Sequence, residues 1–142
     1  MAINQVSVFV ANSQGKLADT IKRISDAGIN MRAMSIAETA EFGILRLIVD
    51  DSAKAMEALS PDYILNATPV IAAKMPDTAG ALYKVLKVLG DAEINIDYMY
   101  AFTGTSALSA YTAFRVDDVK AAENVLHSKG IETLNDEDIK TI

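Results

Sequence analysis

Apolar residues change period along the chain in a fixed order. "QVSVFVA" (5–11) is a β-branched apolar run, Leu17, Ile21 and Ile24 then recur at helical spacing, and "INMRAMSIAE" (29–38) returns to strand-like composition. The turn "TAEFG" leads into a second apolar run, "GILRLIV" (43–49). Asp50, Asp51 and Ser52 then offer N-cap side chains to a short helix, "AKAMEAL" (53–59), which Pro61 stops before a last strand, "YILNA" (63–67). The order is β-α-β-β-α-β. It is written twice: "VIAAKM", "GALYKVLKVLGDA", "INIDYMYAF", "LSAYTAFRV", "VKAAENVLHSK" and "IETL" follow the same succession.

The second pass is a copy of the first. Sliding residues 12–34 onto 77–99 pairs Gly15 with Gly80, Leu17 with Leu82, Lys22 with Lys87, Asp26 with Asp91, Ile29 with Ile94, Asn30 with Asn95 and Met34 with Met99. "DAGIN" (26–30) thus returns as "DAEIN" (91–95), and such self-similarity marks a duplicated unit. "VDD" at 49–51 recurs at 116–118, an offset of 67 instead of 65, so the second copy has a loop two residues longer, placed around "FTGTS" (102–106). The expected fold is α+β: two ferredoxin-like βαββαβ repeats, residues 1–66 and 67–142, packed together, with antiparallel sheets and helices on one face. Units of this size have marginal cores alone, which predicts packing on each other, on a second chain, or both. Only "NATP" (66–69) stands between them, too little for a flexible linker.

Charge and composition narrow the function. With 13 Lys plus Arg against 19 Asp plus Glu the chain is acidic, which argues against a nucleic-acid partner. No cysteine is present, excluding a disulfide frame, a thiolate metal site and a cysteine nucleophile. The start "MAINQVSVFVANSQG" has no basic leader and only a short apolar run, so no membrane association is expected and the cytoplasm is the default location.

Candidate chemistry lies at the two ends of each repeat's first helix. "NSQGKL" (12–17) and "DTAGAL" (77–82) each place a short polar residue, a hydroxyl and a glycine at a strand-to-helix junction. Backbone N–H groups and the positive end of the helix dipole face outward there and suit an anion, and glycine lets a ligand approach closely. Asp77 and Thr78 could equally cap the second of these helices. At the helix exit Gly28 fits a left-handed cap, and Asn30 and Asn95 either tighten a turn or contact a ligand.

These residues resemble the ACT domain, a small-molecule-binding regulatory module. Its motif runs asparagine, any residue, proline, glycine, any residue, leucine, then a helix closing on glycine, isoleucine or valine, asparagine. The whole chain is similar to small stand-alone proteins made of two ACT repeats. The resemblance implies amino-acid binding at interfaces between ACT units, with Asn12, Ser13, Gly15 and Asn30 from one repeat and Asp77, Thr78, Gly80 and Asn95 from the other lining the pockets. The motif proline is replaced by Gln14 and Ala79, which leaves each turn less rigid, and the first motif asparagine by Asp77 in the second copy. A zwitterion suits such a site: its carboxylate would take backbone N–H groups near Gly15 or Gly80, and its ammonium the side-chain oxygens of Asn12 or Asp77 and of Asn30 or Asn95.

Other conspicuous residues have structural explanations. His127 sits near a helix C-terminus, Met31, Met34, Met56, Met75 and Met99 read as core filler, and Asp50-Asp51 and Asp117-Asp118 as helix caps. Tyr98 and Tyr100 alternate along the second repeat's central strand and could pack an interface; "NDEDIK" reads as a solvated tail. An enzyme on this fold would need a nucleophile with an adjacent base, a metal cluster or a phosphate clamp, and none is legible. An RNA-recognition domain shares the element order, but its basic and aromatic third-strand signature is absent from "FGILRLIVDD". The expectation is a non-enzymatic amino-acid sensor or the detached regulatory subunit of an amino-acid-metabolism enzyme, without cofactor or metal. Its expected partners are an L-amino acid, a second copy in a homodimer, and a metabolic enzyme.

Overall fold

The computed structural model describes residues 2–103 and 108–142, which divide into two compact units, Asn4–Thr68 and Pro69–Ile142 with Met1–Ile3. The first unit is built from β1 (Ile3–Ala11), α1 (Lys16–Asp26), β2 (Met31–Glu38), β3 (Phe42–Val49) and α2 (Ser52–Leu59). Strand β3 lies between β1 and β2, antiparallel to both, and Phe9 N donates to Ile64 O on the other side of β1. Val6, Val8 and Val10 of β1 and Leu45, Leu47 and Val49 of β3 alternate onto one face, where Ile24 of α1 and Ala55 and Leu59 of α2 cover them. Both helices therefore lie on the same side of the sheet.

The second unit repeats this plan with β4 (Leu65–Pro76), α3 (Ala81–Asp91), β5 (Tyr98–Ala101), β6 (Ser109–Arg115) and α4 (Val119–Ser128), followed by α5 (Asp136–Thr141). Strand β6 lies between β4 and β5, and Ile71, Ala73, Met75 and Phe114 meet Val85 and Leu89 of α3 and Ala122 and Leu126 of α4. Residues 132–134 run along the free side of β4: Lys74 N donates to Glu132 O and Leu134 N to Ala72 O. The βαββαβ pattern thus occurs twice, as the periodicity predicts.

Several elements differ from expectation. "NATP" lies in the first half of the twelve-residue strand β4, and the boundary between Thr68 and Pro69 falls within it, so the chain passes from one unit to the next inside a strand. "INIDYMYAF" is extended only over Tyr98–Ala101, and β5 is an edge strand, not a central one; Tyr98 and Tyr100 stack on each other at 6.4 Å between ring centroids. "IETL" makes one bridge, Thr133 to Ala73. The expected tail is a helix: Asn135 and Asp138 form a reciprocal capping box for α5, and Ile139 is buried. Met75 is buried and Met31 and Met56 pack against the first core, whereas Met34 and Met99 are half-exposed. The longer loop expected around 102–106 falls mostly outside the described residues.

"DAGIN" has a backbone explanation. Gly28 N donates to Ser25 O and Ile29 N to Ile24 O, the paired bonds of a Schellman cap, with Gly28 at φ 72 and Ile29 buried. The second copy makes the same bonds, Glu93 N to Gly90 O and Ile94 N to Leu89 O, but Glu93 must adopt φ 58 where the first copy has glycine.

Candidate functional site

Among the described residues, five helix N-termini fall into two chemical groups. Helices α2, α4 and α5 are capped by side chains: Asp51 accepts from Lys54 N, Asp118 from Ala121 N, and Asn135 from Glu137 N and Asp138 N, at 2.9–3.0 Å. Helices α1 and α3 start on glycine in the left-handed region, Gly15 at φ 78 and Gly80 at φ 85, with no side-chain cap bond. The first N–H of each helix is taken within the turn, Lys16 N by Ser13 O and Ala81 N by Thr78 O, which leaves those of Leu17 and Ala18 and of Leu82 and Tyr83 as the first-turn donors open to a ligand. The approach is open, since a Cβ at either glycine would meet nothing within 4 Å. The two turns are also closed alike, by Ser13 N to Ala11 O and Lys16 N to Ser13 O in one and by Thr78 N to Pro76 O and Ala81 N to Thr78 O in the other. Asp77 and Thr78 stand at the turn without capping α3, so the alternative cap role is not the one the structure has.

Each junction borders a hollow of its own. Asn12 Nδ2 donates to Thr39 O at 3.1 Å and Asn12 N to Glu41 O at 3.0 Å, tying the end of β1 to the β2–β3 turn. Beside it lies a cavity of about 420 Å³ whose wall includes Asn12, Ser13, Leu17, Ile36 and Glu38. Beside the α3 junction the cavity is about 170 Å³ and its wall includes Thr78, Lys74, Lys84 and Ile131. The hydrogen bond from Lys74 to Glu132, with Nζ 3.2 Å from the carboxylate, raises the lysine pKa and keeps it cationic. A further hollow of about 560 Å³ lies against α5, beside Tyr111, His127 and Asp138; His127 Nε2 is 2.7 Å from Thr133 Oγ1. Reading residues 135–140 as a tail hid this hollow, although asparagine three residues before aspartate is a legible cap.

Asn30 and Asn95 lie at the opposite ends of α1 and α3 from the glycine turns. Eleven residues of helix separate the two features in each unit, about 16 Å at 1.5 Å per residue. Asn30 N donates to Asp50 Oδ1 and Asn30 O accepts from Asp50 N, each at 3.1 Å, and Asn95 Nδ2 donates to Asp97 Oδ1 at 3.3 Å. Within one unit the structure brings Asn12, Ser13 and Gly15 together, and likewise Asp77, Thr78 and Gly80, but neither asparagine joins its own glycine turn. Among the described residues no group of histidine, aspartate and glutamate is arranged to hold a metal, and no helix is long and apolar enough to cross a membrane.

Comparison with known proteins agrees with this architecture. No curated protein sequence matches the chain. Among solved structures, protein BT0572 from Bacteroides thetaiotaomicron is 34% identical with a TM-score of 0.92, over 100% of this chain and 98% of that one. The regulatory subunit of aspartate kinase from Thermus thermophilus, in ligand-free form, is 15% identical with a TM-score of 0.66, over 88% of this chain and 91% of its own. Its counterpart from Thermus flavus is 16% identical with a TM-score of 0.60, over 88% and 90%. At those identities the likeness is one of fold. The profile of the ACT domain pair matches residues 1–142, and the chain belongs to that family.

Proposed function

We propose that this ACT domain pair is a non-enzymatic amino-acid-binding regulator whose repeats, residues 1–66 and 67–142, bind an L-amino acid at interfaces between ACT units. One observation carries the reading: α1 and α3 share an uncapped, glycine-led N-terminus, while α2, α4 and α5 are closed by side chains. An uncapped helix start in water needs an acceptor, and a carboxylate supplies one with the charge the dipole favours. The α-carboxylate takes the remaining first-turn N–H groups near Gly15 or Gly80, those of Leu17 and Ala18 or of Leu82 and Tyr83, and the ammonium takes Asn12 Oδ1 or the Asp77 carboxylate. Because Asn30 and Asn95 stand a helix length away from their own glycine turns, each serves a turn of a neighbouring ACT unit, in the same chain or in a homodimer. Ser13 and Thr78 line the turns without capping them. The fold shared with regulatory subunits of aspartate kinase makes an amino-acid-metabolism enzyme the partner class to test, with the chain as its detached regulatory subunit.

A thermal-shift screen of the twenty L-amino acids tests the reading, because a ligand specific to the native state adds about 2.7 kcal/mol at a hundredfold excess over Kd. The expected result is a raised Tm with at least one amino acid, which mass spectrometry recovers unchanged. Chemical turnover of that ligand by pure protein, or a flat screen, overturns it.

A further inference from the structure

We infer that the junction of the first repeat selects an amino acid with a neutral aliphatic side chain, with Glu38 joining Asn12 as partner of the ligand ammonium and Ile36, Leu17 and Val10 as the wall against its side chain. This rests on the amino-acid reading above and adds the ligand class and the residues that set it. The cavity of about 420 Å³ falls within the range of about 300–1,000 Å³ typical of small-molecule sites. Val10 is buried at its base, while Leu17 and Ile36 are 41% and 50% exposed, two large apolar side chains left in water on a concave surface. Ile36 has this position because β2 is the edge strand of its unit, and it borders Gly43: a Cβ there would stand 3.1 Å from Ile36 Cδ1. Glu38 is the one formally charged residue of the lining, and its cross-strand neighbour is again Gly43, which offers no side chain to pair with. Among the described residues no cation meets the Glu38 carboxylate.

An ammonium satisfies that carboxylate, and an aliphatic side chain covers the Leu17 and Ile36 wall. A ligand with a second carboxylate would meet Glu38 as a like charge, and a polar side chain would lose water against the wall without a hydrogen bond in return. The second junction has Asp77 at its turn but no counterpart of Ile36 or Glu38 in its cavity wall. By the repeat offset Ile36 corresponds to Ala101 and Glu38 to Thr103, and the smaller cavity there is lined by Lys74 and Lys84 with no acidic residue. One aliphatic ligand per chain is the consequence.

Isothermal titration of the full chain with leucine, isoleucine, valine, serine, aspartate and lysine reads this directly. Expected are one aliphatic ligand per chain, bound roughly tenfold or more tightly than aspartate or lysine, and a loss of about tenfold in leucine affinity in Glu38→Gln. Gly43→Ala places a methyl group beside Ile36 and should weaken leucine more than alanine, with Ile36→Ser as the second wall variant if Gly43→Ala folds poorly. Leucine affinity unchanged in both Glu38→Gln and Ile36→Ser, or a preference for aspartate or lysine, overturns the selectivity while leaving amino-acid binding in place. Failure of every amino acid to bind overturns the parent reading instead.

Discussion

Alanine at Asn30 separates a binding residue from a turn residue more sharply than the sequence suggests. The turn after α1 is held by the backbone of Asn30: its N–H donates to Asp50 Oδ1 and its carbonyl accepts from Asp50 N, both at 3.1 Å. Its side chain is exposed and makes no hydrogen bond among the described residues. Asn30→Ala should therefore change folding stability by no more than about 0.5 kcal/mol, as for surface positions without a special role. Asp50→Ala removes the acceptor of the Asn30 N–H and should cost about 1 kcal/mol, the usual loss at a capping side chain. If Asn30 holds a ligand ammonium in a neighbouring unit, its loss should lower affinity about ten- to a hundredfold, equivalent to roughly 1.5–3 kcal/mol. Urea unfolding at fixed m-value beside amino-acid titrations measures both quantities on the same samples. A stability loss above about 1 kcal/mol in Asn30→Ala, with ligand binding intact, would refute the reasoning and make the asparagine helix punctuation.

Three further outcomes follow from the geometry. Asp51→Ala and Asp118→Ala should each lose about 1 kcal/mol in urea unfolding, whereas Ser13→Ala and Thr78→Ala, which cap nothing, should stay within about 0.5 kcal/mol. Gly28→Ala should cost about 1 kcal/mol, because its left-handed backbone alone resists a side chain with nothing within 4 Å, while Glu93→Gly at the matching position should be neutral or stabilising by up to about 1 kcal/mol; paired thermal melts decide. Leu59→Ala and Leu126→Ala, corresponding and fully buried positions of α2 and α4, should each cost about 2–5 kcal/mol by calorimetry, and a loss below 1 kcal/mol at either would contradict the core assignment.

The duplicated fold was legible because core positions are written at the period of their elements and then repeated at an offset of 65, or 67 past the longer loop. Ile24 and Leu89, 65 residues apart, are both fully buried on corresponding helices, and Asp51 and Asp118 cap corresponding helices. Legibility failed where local chemistry and tertiary pairing disagree. "NATP" contains the small, polar and proline residues of a turn, yet lies within β4, where pairing outweighs propensity. Half of residues 135–140 are acidic, but the capping box satisfies the first turn and Ile139 anchors the helix, so a charged run became α5. At the candidate site the glycine turns could be read from residue type. The cavity wall could not, because Ile36 and Glu38 look like ordinary alternating strand residues until β2 is known to be an edge.

Some differences between the two repeats fall where the fold makes little demand. Asn12 against Asp77, Asp19 against Lys84, Ile36 against Ala101 and Glu38 against Thr103 are all exposed. Of these eight residues, Asn12, Ile36 and Glu38 line the first junction's cavity and Lys84 lines the second's. Substitutions at exposed positions usually cost within about 0.5 kcal/mol, so stability does not dictate which residue stands at each. Buried positions are held to packing: leucine occupies both Leu59 and Leu126, while Ile24 and Leu89, or Val8 and Ala73, differ in size and shape but stay in the core. The exception is Glu93, which accepts the backbone strain that Gly28 avoids in the first repeat. That strain sits at the exit of α3, the end opposite its glycine turn, so it cannot be assigned to shaping the junction cavity. Shared packing and capping thus hold two copies of one scaffold, and the exposed differences at Asn12, Ile36 and Glu38 against Asp77, Ala101 and Thr103 give the starts of α1 and α3 different surroundings.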